Sequence, residues 1–171
     1  MTKRSVTKPC IEKLHRTHDV DTFDCGQESL NRYFHRFALN SQRADGAQTY
    51  VGITEGGIVG YYTLAVGHVV YDSASGRLVK GLSRHPVPVM LLARLAVDVR
   101  WQSQSVGSGL LRNAMQRTLQ VAEIAGMRAL IVHAKDDAAK AFYEHFDFMA
   151  SATDPYHLFL LLKDIRKLVS N

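Results

Sequence analysis

The chain has 171 residues, of which 46% are hydrophobic and 22% charged, with a formal net charge of +5. That length suits one domain with a sizeable core, and the balance argues against disordered, fibrous or membrane-spanning classes. No apolar run approaches the roughly 20 residues that cross a bilayer, and the basic first residues lack the apolar segment of a signal peptide, so a cytoplasmic protein is expected. Its two cysteines, Cys10 and Cys25, form no Cys-x-x-Cys pair and fit free thiols in a reducing compartment. The moderate positive charge is compatible with a polyanionic partner without requiring one.

In chain order, a basic lead-in ends in an edge strand around Ile11 to Leu14. Phe23 to Ser29 reads as a turn feeding a helix, with Asp24 as N-cap and Glu28 in the first turn. Leu30, Tyr33, Phe34 and Phe37 follow the i, i+3, i+4, i+7 spacing and are expected to bury together. Arg32, Arg36 and Arg43 then fall on the other side within about 40° of one another, as a basic stripe or simply a solvated face. Gln48–Ile53 and Ile58–Val70 are strand-like arms around Thr54-Glu-Gly-Gly57, a hairpin signal. Tyr71 to Pro86 is an exposed polar excursion carrying Arg77, Lys80 and Arg84, and Val87 to Asp98 is a long apolar strand with Pro88 near its start.

Next comes Gln104-Ser-Val-Gly-Ser-Gly109, a loop behind that strand and ahead of an amphipathic helix. Glycine lets backbone N–H groups approach an anion, and a helix N-terminus favours negative charge; a tight turn that holds nothing is the alternative. The helix buries Leu110, Leu111, Ala114, Met115, Thr118 and Ala122, exposes Arg112, Gln116, Gln120 and Glu123, and should end on a left-handed Gly126. Arg128–Ala134 reads as a buried strand and Asp136–Phe146 as a helix capped by Asp136 or Asp137, with Ala139, Phe142, Tyr143 and Phe146 as its apolar positions. Tyr156–Leu162 is a last strand and Lys163–Asn171 a polar tail. The order implies an α/β fold: a mixed sheet with helices on both faces, one domain over residues 1–171.

That order, with the Gln104–Gly109 loop behind a long strand and Phe142-Tyr143 on the next helix but one, resembles the GNAT N-acetyltransferases over nearly the whole chain. Phe23-Asp-Cys-Gly26, Gly60-Tyr-Tyr-Thr-Leu-Ala65, Pro86-Val-Pro-Val89, Arg94-Leu-Ala-Val-Asp98, Ala122-Glu-Ile-Ala-Gly126, Val132-His-Ala134 and Ala138-Ala-Lys-Ala-Phe-Tyr143 look more narrowly like the GNAT toxins of type II toxin–antitoxin systems, the TacT/AtaT-like group. The resemblance implies the GNAT fold, acetyl-CoA as donor, and the α-amino group of an aminoacyl-tRNA as acceptor, whose acetylation removes the nucleophile of peptide-bond formation. It also implies a ribbon-helix-helix antitoxin, repression of operator DNA through the toxin–antitoxin complex, and a homodimer.

Carried over residue by residue, the resemblance puts the pyrophosphate loop on Gln104, Ser105, Val106, Gly107, Ser108 and Gly109. It puts the pantetheine-pairing strand on Leu95, Ala96 and Val97, further cofactor contacts on Asp136 and Ala139, and the catalytic tyrosine on Tyr143. Three departures stand out: Ser103 and Ser105 stand where many relatives have glycine, Asp136 where many have asparagine, and Asp147 in place of the glycine of Phe-Tyr-x-x-x-Gly-Phe.

Acetyl transfer needs a positioned thioester, a neutral amine and a proton for the leaving thiolate. A strand N–H at Val97 or a neighbour would stabilise the developing oxyanion. A tyrosine hydroxyl, with a pKa of about 10, can protonate a thiolate whose conjugate acid lies near 8.5, which makes Tyr143 the general-acid candidate. Because α-amino groups titrate at about 7.7–8.0, a strong base is dispensable. His133 would act through water or else serve as a core or supporting histidine, and Asp98 and Glu123 read as solvated or capping. No His-x-x-x-His or carboxylate cluster has metal-ligand spacing, so no metal is expected. Phosphate-neutralising candidates for an RNA acceptor are Arg32, Arg36, Arg43, Arg77, Lys80, Arg84 and Arg94; Arg94, inside an apolar run, either pairs locally or binds substrate. Two other readings are a GNAT enzyme for a small amine or protein N-terminus, and a non-catalytic module binding CoA or nucleic acid.

Overall fold

Seven strands form one mixed sheet in the order β1-β2-β3-β4-β5-β7-β6 in the computed structural model, which describes residues 8–70 and 74–170. The strands are β1 (Cys10–Lys13), β2 (Gln48–Thr54), β3 (Gly57–Val69), β4 (Val87–Val97), β5 (Ala129–His133), β6 (Met149–Ala150) and β7 (His157–Leu161). β1 pairs antiparallel with β2, β4 runs parallel to β5, and β7 lies antiparallel to both β5 and β6. The helices are α1 (Glu28–Arg32), α2 (Ala38–Arg43), α3 (Gly76–Val79), α4 (Val106–Ala122), α5 (Asp137–His145) and α6 (Leu162–Val169). No helix among the described residues is long and apolar enough to cross a membrane.

Contacts divide the chain into two compact units: residues up to Thr63 with Arg94–Asn113, and Leu64–Ala93 with the residues from Ala114 onward. In the first unit Phe23, Phe34 and Tyr61 form an aromatic core. The Phe34 and Tyr61 rings stack at 4.3 Å, and Phe23 meets each of them edge-on. In the second, Leu78, Val87, Val89, Ala129, Ile131, Phe159 and Leu161 pack together. The reason is the period-2 alternation of β4, β5 and β7: partners such as Ile131 and Phe159 stand side by side across the ladder on one face.

Between α1 and α2 the helix widens into a π-helical turn, Tyr33–Phe37, in which the Ala38 N–H donates to the Tyr33 carbonyl. The additional residue shifts the face. Phe34 and Ala38 are buried while Phe37, expected inside, is 49% exposed. The Leu30 carbonyl beside the wide turn accepts from Tyr61 Oη at 2.7 Å, and the His35 ring bonds the Phe23 carbonyl at 2.8 Å. These bonds offset the poorer geometry of the turn. Nor does Asp24 cap the helix. Gln27 holds the N-cap position without a side-chain bond, and Asp24 Oδ1 instead accepts from the Gly26 N–H and Asn31 Nδ2, both at 2.8 Å. Those two bonds hold its carboxyl below the ordinary value.

Three further expectations change. Within the stretch read as an exposed excursion, of which Tyr71–Ser73 lie outside the described residues, α3 inserts Leu78 into the core. Gly126 does not take a positive φ; among the described glycines Gly26, Gly57 and Gly81 do. Finally, the stretch read as a polar tail, Lys163–Asn171, of which Asn171 lies outside the described residues, is helical through Val169: α6 covers Leu162–Val169 and buries Leu162 and Ile165, three residues apart on one face.

Gly60 on β3 is a close-approach glycine. A Cβ there would lie 2.7 Å from Leu110 Cδ1 and 2.9 Å from the Ala96 carbonyl oxygen. Leu110 can rotate, but the Ala96 carbonyl belongs to β4. Gly60→Ala should therefore destabilise the protein by about 1–3 kcal/mol, read as a lowered denaturant midpoint at unchanged m-value.

Candidate active site

In the first unit, β4 ends at Leu95, Ala96 and Val97, with Ala96 4% exposed. Asp98 follows, and at 1% exposure it is buried rather than solvated. It caps the 3-10 turn Val99–Trp101 by accepting from the Arg100 N–H at 2.9 Å. It also takes the Arg100 guanidinium at 2.9 and 3.3 Å and the Asp24 N–H at 3.1 Å. Burial works against the charged carboxyl, but these donors outweigh it and hold its pKa below the ordinary value.

A second fastening was not read from the sequence: Gln102 Nε2 donates to the Cys25 and Val97 carbonyls, at 3.0 Å each. Gln104 Nε2 in turn reaches the Arg100 carbonyl at 3.2 Å. Both amides tie the loop to its own base. Ser103 and Ser105 each take φ 63°, the left-handed conformation that favours glycine. Serine thus adopts a backbone shape that ordinarily favours glycine. The helix starts sooner than the sequence suggested. Val106 is the first residue of α4, so Gly107, Ser108 and Gly109 lie in its first turn instead of a loop. That turn carries no acidic residue, and a Cβ on Gly109 would meet nothing within 4 Å. A helix start without an acidic residue in its first turn, and with space beside Gly109, suits a pyrophosphate, although the Gly109 N–H itself donates to the Ser105 carbonyl at 3.2 Å.

In the second unit, α5 is capped as expected: Asp136 accepts from the Ala139 N–H at 2.8 Å. The Ala139 amide is thereby committed to the cap. Tyr143 is 8% exposed, with the Phe142 and Phe148 rings edge-on at 5.2 and 5.4 Å. Burial raises its hydroxyl well above the ordinary tyrosine value, which keeps it protonated. Asp147 takes φ 70° just beyond α5, the conformation the common glycine would supply, and its N–H bonds the Glu144 carbonyl at 3.0 Å. His133 is neither a core residue nor isolated. It is exposed at the end of β5, stacked on His157 at 3.9 Å and 18°, the residue opposite it in the β5–β7 ladder. Partial burial and the neighbouring His157 hold its imidazole below the ordinary value and so neutral at physiological pH. Glu123 is exposed, as a solvated residue should be.

The basic candidates separate. Arg32 and Arg36 line one open groove with Asp24, Gly26, Glu28, Asn31 and His35, and Arg43 is not part of it because the π turn breaks the even stripe. Arg94 lies with its guanidinium carbon 3.6 Å from the Tyr33 ring centroid, a cation–π contact instead of a salt bridge. Arg77 is engaged by Asp164 at 3.0 Å and so serves the fold. Lys80 is exposed, while its carbonyl receives Arg128 Nη2 at 2.9 Å; Arg84 is exposed too. Among the described residues no group of three or more His, Cys, Asp or Glu could hold a metal ion.

A sequence profile described as an acetyltransferase (GNAT) domain matches residues 45–150. The chain is 46% identical over 159 residues to a tRNA-acetylating toxin of Mycobacterium tuberculosis, covering 93% of this chain and 95% of that protein. Its fold matches that of AtaT complexed with acetyl-methionyl-tRNAfMet at a TM-score of 0.85 and 27% identity, covering 93% of this chain and 98% of the other. It also matches a Tyr-to-Phe mutant of AtaT bound to acetyl-CoA and the C-terminus of the antitoxin AtaR, at a TM-score of 0.80 and 25% identity over 95% and 98% of the two chains. By profile, by sequence and by fold, the chain belongs to the GNAT acetyltransferase family.

Proposed function

We propose that the protein is an acetyl-CoA-dependent toxin that acetylates the α-amino group of an aminoacyl-tRNA and so stops translation. The observation that carries this reading is the 46% identity over 93% of the chain to a tRNA-acetylating toxin. The loop geometry supports it: two serines hold left-handed conformations and lead into a helix start with no acidic residue and with space beside Gly109. Acetyl-CoA supplies the activated acetyl group and a thiolate leaving group. In this chain, Leu95, Ala96 and Val97 would pair with the donor as an added strand. Gln104, Ser105, Val106, Gly107, Ser108 and Gly109 would hold its pyrophosphate, and Asp136 and Ala139, at the start of α5 in the second unit, are further cofactor candidates. Tyr143 holds the proton destined for the leaving sulfur.

The reading extends to one catalytic domain over residues 1–171, a cytoplasmic setting, a homodimer, and a ribbon-helix-helix antitoxin with which the protein represses its operator. The AtaT–AtaR complex is the support for the antitoxin. The deciding experiment is transfer of radiolabelled acetyl from acetyl-CoA to total aminoacylated tRNA. Label that disappears when the tRNA is deacylated is the expected result. A protein that binds acetyl-CoA but labels no tRNA would transfer the assignment to a small amine or a protein N-terminus, and one that labels no acceptor at all would leave only a binding module.

A further inference from the structure

The π turn does more than interrupt a helix. It swings Phe37 out of the core to 49% exposure, and the Arg32 guanidinium hovers 5.9 Å from its ring centroid. One turn back, Tyr33 is covered by Arg94 at 3.6 Å. These four residues, with Gln27, Glu28 and Ser29, line an open groove of about 590 Å³ in the first unit. A guanidinium stacked on a ring uses its face and leaves its N–H edge for other partners. Arg94 makes no ion pair among the described residues, and Glu28 is the sole carboxylate lining the groove. The Arg32–Phe37 contact stands at the outer limit of a cation–π interaction, about 6 Å, so Arg32 moves off the ring at little cost. What results is a half-exposed aromatic ring sharing one groove with two guanidinium groups.

Resting on the charged-tRNA reading above, we propose that this groove seats the single-stranded 3′ end of the acceptor RNA, with a base stacked on Phe37 and the adjoining phosphates held by Arg32 and Arg94. An unpaired strand offers what the groove can bind: π faces with a phosphate at each step. Every base has a π face, so the contact grips any charged tRNA and leaves the choice of amino acid to other residues.

The test uses charged tRNA with 2-aminopurine in its unpaired 3′ segment, whose fluorescence falls on stacking, together with steady-state acetylation. Wild-type protein and Phe37→Trp should quench the probe, and Phe37→Ala should not. Phe37→Ala should raise KM for charged tRNA roughly tenfold or more, the scale of one lost base–aromatic stack, with the loss falling on KM and not kcat. Because Phe37 is half exposed, the variant should keep its melting temperature. Quenching and KM for Phe37→Ala within about twofold of wild type would overturn the proposal. Acetyl transfer without quenching by wild-type protein removes the stacking and keeps the acceptor; quenching without transfer keeps the stacking and removes the acceptor.

Discussion

Tyr143→Phe should lower kcat by about 10²- to 10⁴-fold, the usual contribution of a positioned general acid, while acetyl-CoA binding and melting temperature stay near the wild-type values. The substitution deletes one oxygen and leaves the ring between Phe142 and Phe148, so loss of activity through misfolding is not expected. The pH profile supplies the second half of the prediction. Burial pushes the Tyr143 hydroxyl above its ordinary pKa of about 10. Its proton therefore stays in place from pH 6 to 9, and the ascending limb of kcat/KM belongs to the acceptor amine near pH 8. The rate should rise to that point and then stay level. A mutant within about threefold of wild type would exclude Tyr143 as the acid, whereas a wild-type alkaline fall below pH 9 that Tyr143→Phe abolishes would keep it as the acid and overturn the raised pKa.

Asp98→Ala should cost about 2–4 kcal/mol of stability, because it strips charge-assisted hydrogen bonds from the Arg100 guanidinium and N–H and leaves the Asp24 N–H without its acceptor. For a chain of this size that corresponds to a fall in Tm of roughly 5–15 °C. Asp98→Asn keeps a carbonyl oxygen in place and should lose less. The sign of the pH effect follows from the depressed pKa. With the folded value below the unfolded value of about 3.9, the stabilisation is fully present above pH 4 and disappears as pH falls through the folded value. The gap between wild type and Asp98→Asn should therefore be constant from pH 5 to 8 and close below pH 4. A gap that persists unchanged at pH 2.5 would show that the carboxylate charge is not what holds the end of β4.

Much of this was legible in the chain because the strongest signals were periodic. On the predicted face of α4, Leu110, Leu111, Ala114, Met115 and Thr118 are buried as their spacing dictates while Ala122, at the helix end, is half-buried, and β5 with its flanking helices falls where the hydrophobic runs change period. The failures have a common physical origin in features that a fixed period cannot encode. A 3.6-residue repeat carries Phe37 inward, whereas the wide turn that carries it outward is stabilised by Tyr61, far off on β3. The 23 residues between His133 and His157 say nothing of the register that stacks them. α6 was missed because it is short and four charged residues, Lys163, Asp164, Arg166 and Lys167, mask the helical spacing of Leu162, Ile165, Leu168 and Val169. In the loop and just beyond α5, the sequence showed unusual residues at Ser103, Ser105 and Asp147 but not whether the backbone would yield to them. All three take the left-handed conformation, so tertiary contacts override the local preference.

The two sulfurs have opposite surroundings: Cys10 is exposed on the edge strand β1, while Cys25 is buried, with its Sγ directed to the Gln27 carbonyl at 3.6 Å. A thiol reagent therefore meets one accessible group in the native chain and a second only when the region around the turn opens. Once Cys10 is blocked, the labelling rate of Cys25 becomes a stopwatch for breathing of that segment, with no spectroscopic probe introduced into the protein.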